Sequence, residues 1–261
     1  MLAVEGKWAL VSGASSGIGA EFARRLAARG ANLILVARRA ERLDALAAEI
    51  QLDYNVATLV VPVDLSSPSA GREMHELLAE KGIPVDLLIN NAGWGKIGKF
   101  VEESPESIES EINLNIASLV DFTRAFLPAM LDRKFGVIVN VASTAAYQSL
   151  PGMAVYAATK SFVLSFTEAV FGEVVGSGVK VMALSPGGTA TEFFELAGGE
   201  SGFGQMQTAE QVVTTALKAL DRKNSPPSVV SGRVNHLTSH FSRFFSRRFT
   251  LRITGAAMKQ R

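Results

Sequence analysis

The sequence predicts an α/β protein: a single domain, doubly wound, with a central parallel sheet of about seven strands flanked by helices. Three observations predict it. Short apolar runs rich in Val, Ile and Leu alternate with longer helical patterns. The runs are apolar throughout, as strands covered on both faces are. A glycine-rich turn joins the first run to the first helical pattern, where a right-handed crossover would begin.

In chain order, strands are expected at Trp8–Val11, Asn32–Val36, Thr58–Val63, Leu87–Asn90, Val137–Val141 and Lys180–Leu184, with a weaker seventh at Ser228–Val230. Helical patterns lie near 18–29, 40–50, 67–81, 105–132, 153–175 and 208–221. No internal repeat, linker or low-complexity tract divides the chain.

The first strand runs into Ser12-Gly13-Ala14-Ser15-Ser16-Gly17-Ile18-Gly19. Glycines let the backbone turn tightly and approach a phosphate without an intervening Cβ. The helix that follows offers unpaired N–H groups and the positive end of its dipole. The second strand ends Val36-Ala37-Arg38-Arg39. An acid near this point would accept from a ribose 2′-OH; two guanidiniums suit a 2′-phosphate instead, so the expected cofactor is NADP(H). Asp64-Leu65 closes the third strand, where Asp64 fits either the adenine edge or the N-cap of the next helix. The fourth strand leads into Asn90-Asn91-Ala92-Gly93, small enough for close approach of a flat ring. Asn115, a poor helix former, interrupts a long helical pattern, either bonding across a site or marking a bend.

Ser143 follows the apolar run GVIVNVA, at the rim where ligands bind in open α/β sheets. Tyr156 and Lys160 are four residues apart, on one face of a helix. An ammonium beside a phenol favours phenolate, so the Tyr156 pKa is expected to fall. Reaching neutrality takes about three units, or ~4 kcal/mol, which requires a partly desolvated Lys160 helped by a cationic cofactor. Pro186-Gly187-Gly188-Thr189-Ala190-Thr191 follows the sixth strand and brings hydroxyls to the same rim.

Composition narrows the function. The 261 residues are 48% hydrophobic and 20% charged, enough for a full core. A net charge of +1 gives no general pull toward nucleic acid. The absence of cysteine excludes disulfides, thiolate metal sites and Cys nucleophiles, and the three histidines lack ligand spacing, so no metal is expected. The N-terminus lacks the pattern of a signal peptide, and a cytoplasmic location is expected.

Together these motifs, in order from Lys7 to Thr191, resemble the short-chain dehydrogenase/reductase family, in its NADP(H)-preferring branch. The family usually begins the glycine motif with Thr, where this chain has Ser12. The resemblance implies a Rossmann-type fold and reversible hydride transfer between nicotinamide and a carbonyl or secondary alcohol. It implies Tyr156 as general acid or base, Lys160 on the nicotinamide ribose, Ser143 on the substrate oxygen and Asn115 in a proton relay. Gly13, Ser15, Ser16, Gly17, Ile18, Gly19, Arg38 and Arg39 would hold the phosphates. Asp64, Leu65, Asn91, Ala92 and Gly93 would line the nucleotide. Pro186, Gly187, Thr189 and Thr191 would flank the carboxamide. A homodimer or homotetramer is implied as well.

Domain boundaries follow: 1–185 as cofactor-binding and catalytic core, 186–207 as substrate lid, and 222–261 as a basic, aromatic extension. The lid carries Gly198, Gly199, Gly202 and Gly204 for pliancy and Phe193, Phe194, Leu196, Phe203 and Met206 for apolar cover. With Trp94, Leu150 and Met153 as further wall, an apolar ketone or alcohol is expected as substrate. The extension has nine basic residues and no acid, leaving 17 basic against 25 acidic residues in the rest. Leu237, Phe241, Phe245 and Phe249 recur every fourth position, as on one helical face. Packing on the body or a sister subunit, an anionic membrane surface and an acyl carrier all fit it. Two rival functions stand beside the carbonyl reductase: a 3-oxoacyl-thioester reductase of lipid synthesis, and a non-catalytic NADP(H) sensor or scaffold.

Overall fold

Strands β1 (Trp8–Ser12), β2 (Asn32–Ala37), β3 (Thr58–Pro62), β4 (Leu87–Asn90), β5 (Gly136–Val141), β6 (Val179–Ser185) and β7 (Ser228–Val230) form one sheet. The order is β3-β2-β1-β4-β5-β6-β7 and every pairing is parallel. The structure is a computed structural model and describes residues 2–67, 69–198, 206–241 and 244–259. The helices are α1 (Gly17–Ala27), α2 (Ala40–Tyr54), α3 (Ala70–Glu80), α4 (Pro105–Ile112), α5 (Leu119–Asp132), α6 (Ala154–Val174), α7 (Phe193–Ala197), α8 (Ala209–Leu220), α9 (Arg233–Phe241) and α10 (Arg247–Lys259).

Alternate strand residues point to opposite faces, and each face has its own core. Val11, Leu33, Leu35, Leu87 and Ile89 pack with Phe22, Leu26, Leu43, Ile50 and Val213 from α1, α2 and α8. Leu10, Ile34, Val36, Leu88 and Ile138 pack with Met74, Leu78, Phe122, Phe126, Met130 and Val170 from α3, α5 and α6. The order reverses between β1 and β4, which places the carboxyl ends of β1, β4, β5 and β6 around one crevice. Beneath it runs a buried polar ladder. Asn90 Nδ2 donates to Thr123 Oγ1 at 3.2 Å and to Asn140 Oδ1 at 2.9 Å, and Asn140 Nδ2 donates to Thr167 Oγ1 at 3.0 Å. It ties β4 and β5 to α5 and α6 with these amides satisfied, as buried polar groups must be.

Two expectations change. The helix expected over 105–132 is divided: α4 ends at Ile112, Asn113–Ser118 widens into a π-helical turn, and α5 follows. By length and apolarity Pro105–Asp132 would suffice to cross a membrane. Phe122, Phe126 and Met130 are instead buried in the core. The C-terminal stripe does not lie on one helical face either. α9 stops at Phe241, and α10 begins afresh at Arg247, where Ser246 Oγ accepts from the Phe249 N–H at 3.3 Å. Thr250 and Thr254 of α10 are buried against the body, while Phe249, Leu251 and Ile253 stay partly exposed. One face of the extension therefore packs on its own chain.

Candidate active site

The turn after β1 has no room for side chains. Gly13 and Gly17 hold φ of 65° and 56°, the left-handed region. A Cβ at Gly13 would come within 2.8 Å of Asn91 Nδ2, and one at Gly17 within 2.8 Å of Thr191 Cγ2. At Gly19 a Cβ would run into the Gly13 carbonyl. Ser16, the N-cap of α1, makes no side-chain cap hydrogen bond, so its hydroxyl leaves the first-turn N–H groups to other partners. These are the features of a phosphate cradle, and the residues fit a dinucleotide.

Ser12 joins this turn to the loop after β4. Its Oγ accepts from the N–H groups of Asn91 at 2.9 Å and Ala92 at 3.0 Å, and donates to Ile89 O at 3.2 Å. Asn91 Nδ2 returns a bond to Ser12 O at 3.0 Å. A Cβ at Gly93 would meet Asn115 Oδ1 at 2.9 Å and Lys160 Nζ at 3.3 Å.

The π-helical turn aims Asn115 inward. Asn115 Nδ2 donates to Trp94 O at 2.8 Å and to Thr159 Oγ1 at 3.1 Å, while its Oδ1 accepts from the Trp94 N–H at 3.1 Å. The Asn115 bond across the site and the bend are thus one feature. From α6, Lys160 is 4% exposed and donates to Val141 O at 2.8 Å, with Nζ 5.7 Å from the centre of the Tyr156 ring. Tyr156 hydrogen-bonds with the Ser143 side chain. Asn115, Ser143, Tyr156 and Lys160 therefore meet at one rim.

In the protein alone the Tyr156 pKa does not fall. Burial disfavours the phenolate and pushes Tyr156 up to about 12; the Ser143 bond opposes this, and Glu111 adds to it. Lys160 is itself pulled down to about 8 by burial, with Glu111 resisting. Desolvation outweighs the attraction on which the sequence argument relied, and the ammonium is spent on a carbonyl rather than aimed at the phenol oxygen.

At the far end of the crevice, Arg39 is engaged across the turn. It donates to Ser15 Oγ at 3.0 Å, to Ser16 Oγ at 3.1 Å and to Glu192 at 2.8 Å. Arg42 pairs with the same carboxylate, and the two hold Glu192 down to about 2. Arg38 is exposed beside Asp64. Asp64 is not the cap of α3, whose N-cap is Ser69; its Oδ1 accepts from Ser66 N–H and Oγ at 3.0 and 2.8 Å. Leu65 is buried.

The loop after β6 closes the crevice. Pro186 O accepts from the Thr144 N–H at 2.8 Å, and buried Thr189 donates to Gly187 O at 3.0 Å. Gly187 has no space for a Cβ because Asn235 of α9 sits against it. Phe193 of α7 lies 5.2 Å from the Tyr156 ring, and the Ile97 N–H donates to Ala197 O at 2.9 Å, fastening α7 down. Leu150 and Met153 form the expected wall with Ala145, Ala157, Ile97, Tyr156 and Phe193; Trp94 does not join that cluster. Leu196 is 70% exposed and faces outward. Gly199, Gly202, Phe203 and Gly204 lie outside the described residues. The sequence reading missed Ile97, Ala145, Asn235, Glu111 and Glu192. Ile97 and Ala145 carry no motif, and the others read locally as ordinary polar surface.

A glycine cradle at the strand-order reversal, with a Ser, Tyr and Lys cluster facing it, defines a nicotinamide-nucleotide oxidoreductase fold. The short chain dehydrogenase family model matches residues 7–220. The chain belongs to the short-chain dehydrogenase/reductase family. It is 32% identical over 237 residues to a 7beta-hydroxysteroid dehydrogenase of Collinsella aerofaciens, covering 90% of this chain and 89% of that one. It is 34% identical to a very-long-chain 3-oxoacyl-CoA reductase-B of Danio rerio over 69% of this chain, spanning 59% of that longer protein. A short-chain dehydrogenase from Sphingobium yanoikuyae, solved in complex with NADPH, superposes with a TM-score of 0.82 at 35% identity, covering 91% of this chain and 92% of that one.

Proposed function

We propose that this protein is an NADPH-dependent carbonyl reductase acting on bulky apolar ketones, reversible as an alcohol dehydrogenase. The observation that carries this reading is the convergence of Ser143, Tyr156, Lys160 and Asn115 at the rim facing the glycine turn. When bound, the nicotinamide supplies the hydride. Tyr156 gives its proton to the carbonyl oxygen as the hydride arrives and takes one back in the reverse direction. Ser143 holds the same oxygen and stabilises its developing charge. Lys160, pinned by Val141 O, presents a cation to the ribose side. Asn115 fixes the Trp94 segment, which carries the wall past Tyr156.

The apolar cluster of Ala145, Leu150, Met153, Ile97 and Phe193 suits a steroid-sized or long acyl body and gives a sugar few partners. Similarity to the hydroxysteroid dehydrogenase supports the first and similarity to the 3-oxoacyl-CoA reductase supports the second. Preference for NADPH rests on Arg38, exposed at the end of β2, and the NADPH-bound neighbour supports it. The test is NADPH oxidation with steroid ketones and 3-oxoacyl thioesters, comparing wild type with Tyr156→Phe. Loss of turnover with retained NADPH binding is expected; equal rates remove Tyr156 from its role. No turnover by wild type on any ketone would leave a nucleotide-binding protein without chemistry.

A further inference from the structure

Two buried carboxyl groups behind the site have no part in the reaction just described. Glu111, at the end of α4 and one turn before Asn115, is 1% exposed; Glu103, in the segment leading to α4, is 9% exposed. Among the described residues, Glu103 Oε2 and Glu111 Oε1 are the buried side-chain atoms that lack a hydrogen-bond partner. Such groups cost several kcal/mol if charged and unpaired, so their persistence needs a reason.

Their placement supplies one. Glu111 accepts from the Lys96 backbone N–H, so it faces the strip after β4. That strip runs along the reacting groups: a Cβ at Gly95 would overlap the Tyr156 ring, and Gly93 lies against Lys160 Nζ. The titratable groups facing Glu111 are Glu103 on its own side and Lys160 and Tyr156 on α6; Lys96 contributes only its backbone. No third acid or histidine joins them in a metal-holding group among the described residues.

We propose that Glu111, backed by Glu103, is a positioning residue of the active site: a buried carboxyl that fixes the charge on Lys160, and so the pH range over which Tyr156 works. A desolvated carboxyl beside a second acid ionises less readily than one in water. Burial and Glu103 push Glu111 up to about 7, with Lys160 opposing, while Glu111 resists the fall of Lys160 to about 8. Through the neutral range Glu111 passes from a neutral neighbour to an anionic one. The anion holds the Lys160 proton in place where burial would strip it. The inference rests on Tyr156 and Lys160 acting as proposed above, but part of its test does not.

That part is infrared titration of the whole protein without substrate. Wild type is expected to show a buried protonated carboxyl that ionises near neutrality. Glu111→Gln abolishes that band, and Glu103→Gln moves its ionisation to lower pH, because the neighbour that raised it is gone. In turnover, the carbonyl-reducing rate falls as Lys160 loses its proton. Glu111→Gln moves the midpoint of that fall to lower pH by about one unit, with the rate on the acid side kept within about threefold. Wild type without such a band, a band that survives Glu111→Gln, or a midpoint that stays put while the rate drops at every pH would each overturn the proposal. If Tyr156→Phe is as active as wild type, the turnover reading falls and the infrared result still decides whether Glu111 ionises near neutrality.

Discussion

The Asn115 side chain brackets the Trp94 peptide, donating to its carbonyl at 2.8 Å and accepting from its N–H at 3.1 Å. A side-chain amide closes this ring only because the π-helical turn Asn113–Ser118 lets Asn115 leave the regular helical face. Asn115→Leu should strand both Trp94 groups. The expected cost is about 1–3 kcal/mol of stability, read by chemical denaturation, since a buried orphan forfeits its full desolvation. The reduction rate should fall further than this instability explains, with NADPH affinity nearly unchanged. A variant as stable and as active as wild type would show that the bracket is incidental.

Lys160 trades stability for chemistry. Its pKa is depressed from 10.5 to about 8 by burial. In the unfolded chain it holds its proton longer, so between about pH 8 and 10.5 the unfolded state binds more protons and stability rises with pH. Below about pH 8 the whole burden of the buried cation is present. Lys160→Met should therefore be inactive yet more stable at neutral pH, by up to about 3 kcal/mol, less what the bond to Val141 O returns. Thermal melting at neutral and alkaline pH checks this, the difference between the two proteins shrinking at high pH. A methionine variant that melts lower at every pH would contradict it.

How much of this was legible in the sequence depends on the distance over which each feature is decided. The strands were legible because β4 and β5 are apolar enough to be buried on both faces, and the phosphate turn because Gly13, Gly17 and Gly19 announce a backbone without Cβ atoms. The rim residues Ser143, Tyr156, Lys160 and Asn115 followed from motif order. The sign of the Tyr156 shift did not, because it depends on how much protein covers the ring and on where Lys160 spends its proton. Nor did the pairing of Glu192 with Arg39 and Arg42, or the seat of Asn235 against Gly187, since each joins residues far apart in the chain.

Arg38 and Arg39 should behave differently although they are adjacent. Arg39 is occupied with Ser15, Ser16 and Glu192, linking the glycine turn to the N-cap of α7. Arg38 is exposed beside Asp64 and available to a 2′-phosphate. A charge-assisted bond contributes about 1.5–3 kcal/mol, so Arg38→Ala should weaken NADPH about tenfold or more and leave NADH within about twofold. Arg39→Ala should weaken both, because it loosens the cradle itself. Fluorescence titration with each nucleotide separates the two. Equal losses for NADPH and NADH in Arg38→Ala would sink the assignment.

The C-terminal helix should act on substrate rather than on cofactor. Thr254 of α10 is 3% exposed, and its Oγ1 lies 3.1 Å from both Ser149 O and Thr250 O, sharing one proton between them. Ser149 precedes Leu150, which is 5% exposed and forms part of the wall beside Tyr156. A Cβ at Gly255, one residue on, would sit at ordinary van der Waals distance from Pro151. The helix thus buttresses a loop that forms part of the apolar wall beside Tyr156 and lies on a different segment from the glycine turn. Thr254→Val keeps the shape and removes the proton, at a cost of about 0.5–1.5 kcal/mol. If that loss is felt as a slacker loop, KM for a bulky ketone should rise about twofold to tenfold while the NADPH dissociation constant holds. Steady-state kinetics alongside nucleotide titration measures both. A parallel rise in the two would mean that α10 steadies the whole crevice, and no rise in either would mean that the loop stands without it.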